Sequence, residues 1–287
     1  GKSSRDNDMI ETDILIAGGG IAGMSAAARL AADGHKIMIV DPAPADIGEG
    51  SDLRTTAFLE PGIETLKKAG VWGAIKPTGA ELRVMRIVDA GGTERTPRET
   101  ADFDGAETKQ GFFGWNVSNK AARVALMAKL ATLPNVDFRF ATTVTGFKAT
   151  SRYGEATLSD GQTVRAKLVI AADGRNSSLR KFAGIKHRRW AYDQSAIVFV
   201  VTHDKPHDNI STEIHRTGGP LTLVPMPDLD GKPCSSVVWM TPADRAQDLN
   251  AMDDATLSAE ITHETMNLFG PLTVASPRAV WPMMSQV

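Results

Sequence analysis

Three glycines and one aspartate give this chain its first chemical content. Gly18-x-Gly20-x-x-Gly23 lies between two short apolar runs, Ile14–Ala17 and Ile37–Val40, and Asp41 follows the second run directly. Each glycine of such a trio has its own physical use. The first permits a tight turn, the second lets backbone approach a pyrophosphate, and the third lets a helix pack closely on a strand. Ala22 sits inside the trio, where a helix starting near Ile21 aims its free N–H groups at a phosphate. Asp41 ends the second strand, where a carboxylate can accept hydrogen bonds from an adenosine ribose. The chemistry implied is the holding of a dinucleotide. It does not separate FAD from NAD, because both bind this way, and a glycine turn in some other α/β protein is the alternative.

Those four residues need a strand, a turn, a helix and a second strand, in that order. The run Ile14-Leu15-Ile16-Ala17 predicts a buried parallel strand, the Ala-rich stretch to Ala32 a helix stopped by Gly34, and Ile37–Val40 the second strand. Further on, Ile63, Leu66, Ala69 and Val71 predict a helix closed by Gly70. Glu81–Asp89 reads as a strand with Gly91-Gly92 as a hairpin turn, and Thr93–Gln110 as polar and irregular. A helix is predicted from Val117, with Ala122, Leu126 and Leu130 on one face. Strands follow at Val136–Phe140, Val144–Ala149, Ala156–Ser159 and Val164–Ala172, with Asp160-Gly161 as a hairpin turn. The second half is β-rich, with strands at Ser195–Thr202, Thr212–Arg216, Leu221–Pro225 and Ser236–Thr241. Helical patterns then cover Pro242–Ala251 and Ala255–Phe269.

Composition narrows the field. A length of 287 residues suggests roughly two domains. A net charge of −2 argues against a nucleic-acid partner, which would require a basic surface. The single cysteine, Cys234, excludes an intramolecular disulfide and suits a cytoplasmic setting. No apolar run reaches the length of a membrane span. The polar opening GKSSRDND reads as a tag remnant or loose terminus, not a signal peptide. His203 and His207 have helical spacing, but Pro206 interrupts it. His263-Glu264 lacks a second histidine at Asn267, so no metal site is expected. No GxSxG elbow supports a serine hydrolase.

A second motif follows the strand Leu168–Ala172: Ala172-Asp173-Gly174-Arg175-Asn176-Ser177-Ser178-Leu179-Arg180. Together with the glycine trio it resembles the group A flavoprotein monooxygenases, the aromatic hydroxylases related to p-hydroxybenzoate hydroxylase. Three more stretches are similar to the ubiquinone-biosynthesis hydroxylases of the UbiH type. They are Asp52–Ala57, Phe113–Lys120 leading to Arg123, and Ser211–Arg216 with Gly219–Pro225. The resemblance covers nearly the whole chain after its polar start.

It implies an α/β fold: a doubly wound, Rossmann-like FAD-binding domain interleaved with a mostly antiparallel β-sheet substrate domain. The FAD domain is expected in residues 9–79 and 111–185, and the substrate domain in 80–110 and 186–287. By the same resemblance Arg54 and Thr55 lie beside the flavin pyrophosphate or the nicotinamide path. Arg123 contacts an FAD phosphate, and backbone near Val144 borders the adenine. Asp173 can hydrogen-bond the ribityl–pyrophosphate region, and Arg180 offers positive charge to phosphates. The resemblance further implies that NAD(P)H would reduce FAD and that O₂ would then hydroxylate a phenol, with a prenylated one of ubiquinone biosynthesis expected. The flavin carries that chemistry, so no catalytic side chain is assigned. Glu213, His215 and Thr222 are substrate candidates by position, with ordinary sheet decoration as the alternative.

The rivals are a same-fold flavoenzyme on a soluble aromatic acid, a reductase, a NAD-binding dehydrogenase, or a non-catalytic dinucleotide-binding module. The run Lys186-His187-Arg188-Arg189-Trp190 could touch NADPH phosphate or an anionic membrane surface, and reads first as a solvated edge. A cytoplasmic protein with peripheral membrane or quinone-biosynthesis-complex association is the matching expectation. The family's third motif, Gly-Asp-Ala-Ala-His, belongs after a strand like Ala279–Met283, and the chain stops at Val287. A C-terminally truncated, inactive chain that carries no FAD is therefore expected.

Overall fold

The computed structural model describes residues 9–45, 53–91, 99–108, 110–172 and 190–286. From the N-terminus the elements are β1 (Met9–Ala17), α1 (Ile21–Ala32), β2 (Ile37–Val40), β3 (Thr55–Leu59), α2 (Glu60–Lys68), α3 (Trp72–Ile75), β4 (Ala80–Leu82), β5 (Val84–Asp89) and β6 (Glu99–Asp104). Next come β7 (Gly114–Ser118), α4 (Asn119–Ala131), β8 (Val136–Arg139), β9 (Val144–Ala149), β10 (Gly154–Leu158) and β11 (Thr163–Ala171). The last stretch holds β12 (Trp190–Thr202), β13 (Ile210–His215), β14 (Leu221–Leu229), β15 (Lys232–Pro242), α5 (Ala243–Ala251), α6 (Asp254–Glu264), β16 (Thr273–Val274) and β17 (Ala279–Gln286). The chain divides into two compact units: residues 1–51, 62–74 and 120–187, and residues 52–61, 75–119 and 188–287.

The first unit is built on a six-stranded sheet in the order β8-β2-β1-β11-β10-β9. Its first four strands are parallel, and the β9–β10–β11 run is antiparallel. Strand order reverses at β1: β2 and β8 lie on one side, β11 on the other. Such a switch point opens a crevice at the carboxyl ends of the strands, where the glycine trio begins. Leu15, Ile16, Ile37 and Ile39 are at most 1% exposed, as expected for parallel strands covered on both faces. The small residues Gly23, Ala27, Ala28 and Ala31 line the buried side of α1 and let it lie close to the sheet.

The second unit holds a larger sheet, β16-β12-β15-β14-β13-β5-β6, with β17 also on β12. Its pairs are antiparallel except β13–β5. Alternation sends Ile197, Phe199, Val237 and Trp239 to one face, where they pack with Leu249, Leu257 and Ile261 of α5 and α6. Each such fully buried side chain stabilises by about 1.5–3 kcal/mol. Asp253 caps α6 by accepting from the Thr256 N–H at 2.7 Å, and hydrogen bonding from the Thr256 side chain, then from that N–H, holds its carboxyl below the usual range. An Arg216–Glu264 ion pair ties the end of β13 to α6. Burial pushes the Cys234 thiol up to about 11, so it packs as an uncharged side chain. A three-stranded sheet, β3-β7-β4, completes this unit.

Several expected elements take another form. Val117 belongs to strand β7, and the helix starts two residues later, at Asn119. Pairing of Val117 and Ser118 with Thr56 and Thr55 of β3 overrides the local helical pattern there. The stretch expected to be irregular contains β6, which pairs with β5 from Val84↔Asp104 to Asp89↔Glu99. Glu81–Asp89 is two strands in two different sheets, divided at Arg83. The last helix ends at Glu264, because Met266 and Asn267 take left-handed backbone with φ of 55° and 54°.

His203 makes the second unit acid-sensitive. It is 3% exposed, with Nδ1 2.6 Å from the Lys205 carbonyl and Nε2 2.9 Å from the Ser235 hydroxyl. Loss of solvent pushes its pKa below the ordinary 6.5, although the Lys205 carbonyl pulls the other way. Below that ordinary value the unfolded chain takes a proton that the folded chain refuses, so stability present above about pH 6.5 is lost as pH falls. Thermal unfolding should therefore shift down between about pH 7 and about pH 5.5, with a shallower slope in His203→Gln. An equal slope in the variant would assign the effect to other groups.

Candidate functional site

The site starts where β1 ends. The backbone turns at Gly18 with φ 122°, and the Gly18 N–H donates to the Val40 carbonyl at 2.8 Å, tying the turn to β2. A Cβ at Gly23 would lie 1.9 Å from the Gly18 oxygen, so the turn and helix fit together only with glycine there. A Cβ at Gly20 would meet nothing within 4 Å, which leaves its backbone open to approach. Gly20 is also the N-cap of α1 and supplies no side-chain cap. The first-turn N–H groups, with exposed Ala22 among them, are thus available to an anion.

Gly19, between the motif glycines, is the hub of the turn. Its N–H donates to Asp41 Oδ2 at 2.7 Å, and its carbonyl accepts from Arg123 Nη1 at 3.2 Å. Asp41 is 8% exposed, and its Oδ1 accepts from the Ala43 N–H at 2.8 Å. Arg123 Nη2 is buried and has no hydrogen-bond partner among the described residues. Leaving such a donor unmatched costs about 1–3 kcal/mol, more for a charged group, so the cluster lacks an acceptor. The planar guanidinium fork suits a phosphate oxygen in that role. The Thr142 N–H donates to the Asp41 carbonyl at 2.9 Å, bringing the start of β9 to the same place. Val144 itself is 5% exposed with its side chain in the core, so its backbone is the part a ligand could meet. An open glycine backbone, an uncapped helix start and an unmatched arginine donor all fit the phosphates of a dinucleotide.

The first unit therefore gathers Gly18, Gly20, Ala22, Gly23, Asp41, Arg123 and Val144. Arg54 and Thr55 fall in the second unit. There the Arg54 guanidinium stacks over the Trp281 ring, 4.2 Å from its centroid, and Thr55 opens β3 opposite Ser118. Asp173 and Arg180, with Lys186–Arg189 of the basic run, lie outside the described residues. Glu213 and His215 lie two apart on β13 with Oε1 and Nε2 3.0 Å apart, and Thr222 of β14 pairs across from Glu213. Sequence reasoning missed Gly19 and Trp281. The unbroken Gly18-Gly19-Gly20 run is the only sequence signal for the first, since a Cβ at Gly19 would sit 2.4 Å from Asp41 Oδ2.

The family described as FAD binding domain matches residues 11–287. This chain belongs to that family. Membership decides for FAD against NAD, the choice the glycine trio leaves open. This chain is 31% identical over 268 residues to ubiquinone hydroxylase UbiL of Rhodospirillum rubrum, covering 93% of this chain and 60% of that protein. It is 31% identical over 267 residues to 3-demethoxyubiquinol 3-hydroxylase of Escherichia coli, covering 91% of this chain and 66% of that one. It thus spans 60–66% of the length of these relatives. Pseudomonas aeruginosa PqsL, solved in complex with 2-aminobenzoylacetate, shares the fold with a TM-score of 0.75. The identity there is 19%, over 95% of this chain and 74% of that one.

Proposed function

We propose that the protein carrying this chain is an FAD-dependent monooxygenase that uses NAD(P)H and O₂ to hydroxylate the ring of a prenylated phenol in ubiquinone biosynthesis. One observation carries the reading: two relatives, each matched over more than nine tenths of this chain, are named as hydroxylases of ubiquinone or demethoxyubiquinol. In the overall reaction NAD(P)H supplies two electrons, one oxygen atom enters the ring and the other leaves as water. FAD, when bound, supplies the electron and oxygen chemistry. The chain's own residues hold it. The glycine turn and α1 would receive the pyrophosphate, Arg123 would offer Nη2 to a phosphate, and Asp41 would keep the turn in shape. Asp173 and Arg180 belong to the cofactor contacts in this reading, and the second unit serves as the substrate domain.

Exposed apolar side chains at the β5–β6 end of the large sheet support an apolar substrate. Ile87 and Phe103, from neighbouring strands β5 and β6, are 40% and 55% exposed. A prenyl tail resides in lipid, so in this reading the protein works at a membrane surface. No helix among the described residues is long and apolar enough to cross one.

Two measurements test the reading. Arg123→Met should weaken FAD binding about 10- to 100-fold, since a hydrogen bond to a charged group contributes about 1.5–3 kcal/mol. Fluorescence titration of FAD reads this, and wild-type affinity would remove Arg123 from the phosphate. The second follows NAD(P)H oxidation by the FAD-loaded protein at its natural length, with a short-tailed prenyl phenol. A product heavier by one oxygen is expected. Turnover of a small aromatic acid with no response to prenyl phenols would overturn the substrate assignment.

A further inference from the structure

The large sheet of the second unit has two faces of different chemistry. One is sealed by α5 and α6. Strand alternation places Ile87 and Asp89 of β5, Glu213 and His215 of β13, and Thr222 and Val224 of β14 together on the other. Glu213 stands at the centre of this group, between Ile87 on one neighbouring strand and Thr222 on the other. Its side chain is 34% exposed and that of His215 53%, so both are reachable, and their 3.0 Å contact fixes the carboxylate's direction.

The fixed charge on this face of the three strands is one-sided. Asp89 and Glu213 are acidic, β14 carries a further carboxylate in Asp228, and no lysine or arginine of β5, β13 or β14 alternates onto this face among the described residues. Arg86 alternates to the opposite face, where it forms a two-pronged bond with Asp102 at 2.9 and 3.0 Å. Arg216, just past β13, is engaged with Glu264 of α6.

We propose that Glu213, braced by His215, determines substrate specificity by charge: it accepts the hydroxyl of an uncharged phenol and rejects rings that bear a carboxylate. The inference rests on the aromatic hydroxylase reading above and adds the selection rule. A phenol O–H is a donor, and an ionised carboxylate offers only acceptors, so the pair match. A ring carboxylate at the same place would face Glu213 and Asp89 with no lysine or arginine of these strands on that face to offset the repulsion. Apolar Ile87 and Val224 on either side thin the solvent and strengthen both effects.

The test uses the FAD-loaded protein at its natural length and two rings of matched size, 4-methylphenol and 4-hydroxybenzoate. Wild type should favour the uncharged ring in kcat/KM. Glu213→Gln should shrink that preference about tenfold, and Glu213→Arg should reverse it by raising kcat/KM for 4-hydroxybenzoate at least about tenfold. FAD affinity, measured in parallel, controls for folding. A preference unmoved in both variants while hydroxylation continues overturns the role of Glu213 and leaves the hydroxylase reading standing. Hydroxylation of neither ring, nor of a prenyl phenol, by wild type overturns both.

Discussion

In the protein at its natural length, Gly23→Ala is expected to abolish measurable FAD binding and to lower the stability of the first unit. The added Cβ would sit 1.9 Å from the Gly18 carbonyl oxygen and 3.0 Å from its carbon, far inside ordinary contact. Both atoms are backbone, so no side chain can swing away to relieve the clash. Either α1 moves off the sheet or the turn opens. Overpacking of this kind costs about 1–3 kcal/mol. A shifted turn also misdirects the α1 N–H groups, and the two losses together imply an affinity drop of at least about a hundredfold. FAD titration with a thermal melt reads both. Wild-type affinity in the variant would place the phosphate site elsewhere.

Asp41→Ala is expected to destabilise the protein even without cofactor. The carboxylate accepts from the Gly19 N–H at 2.7 Å and the Ala43 N–H at 2.8 Å. Removing it strands the buried Gly19 donor, at a cost of about 1–3 kcal/mol, before any ribose contact is counted. Asp41→Asn keeps an acceptor and should recover part of the loss. Denaturant unfolding of the three proteins reads the difference. A change under about 0.5 kcal/mol in the alanine variant would show that the turn holds its shape without Asp41.

The contrast between these two positions shows what a sequence discloses. The β1–α1–β2 unit was legible almost to the residue, because apolar runs, an Ala-rich stretch and glycine punctuation all agreed. Gly23 was legible for the same reason, as helix–strand contact is a local matter. Asp41 was read only as facing a ligand. Its inward bonds to Gly19 and Ala43 depend on how two loops meet, which spacing does not encode. Val117 was misread as helical because its strand character comes from a partner at Thr56, distant in sequence. Arg54 on Trp281 and Glu213 opposite Thr222 likewise depend on partners or strand register that no local pattern reveals.

The central claim is that this chain forms part of an FAD-dependent ring hydroxylase, and labelled oxygen tests it most directly. The protein at its natural length, loaded with FAD, would turn over a short-tailed prenyl phenol with NAD(P)H under ¹⁸O₂, with product mass read by spectrometry. One labelled oxygen in the ring hydroxyl for each NAD(P)H consumed is the expected result. Product carrying oxygen from water, or NAD(P)H consumed with the substrate reduced and no label gained, would contradict it.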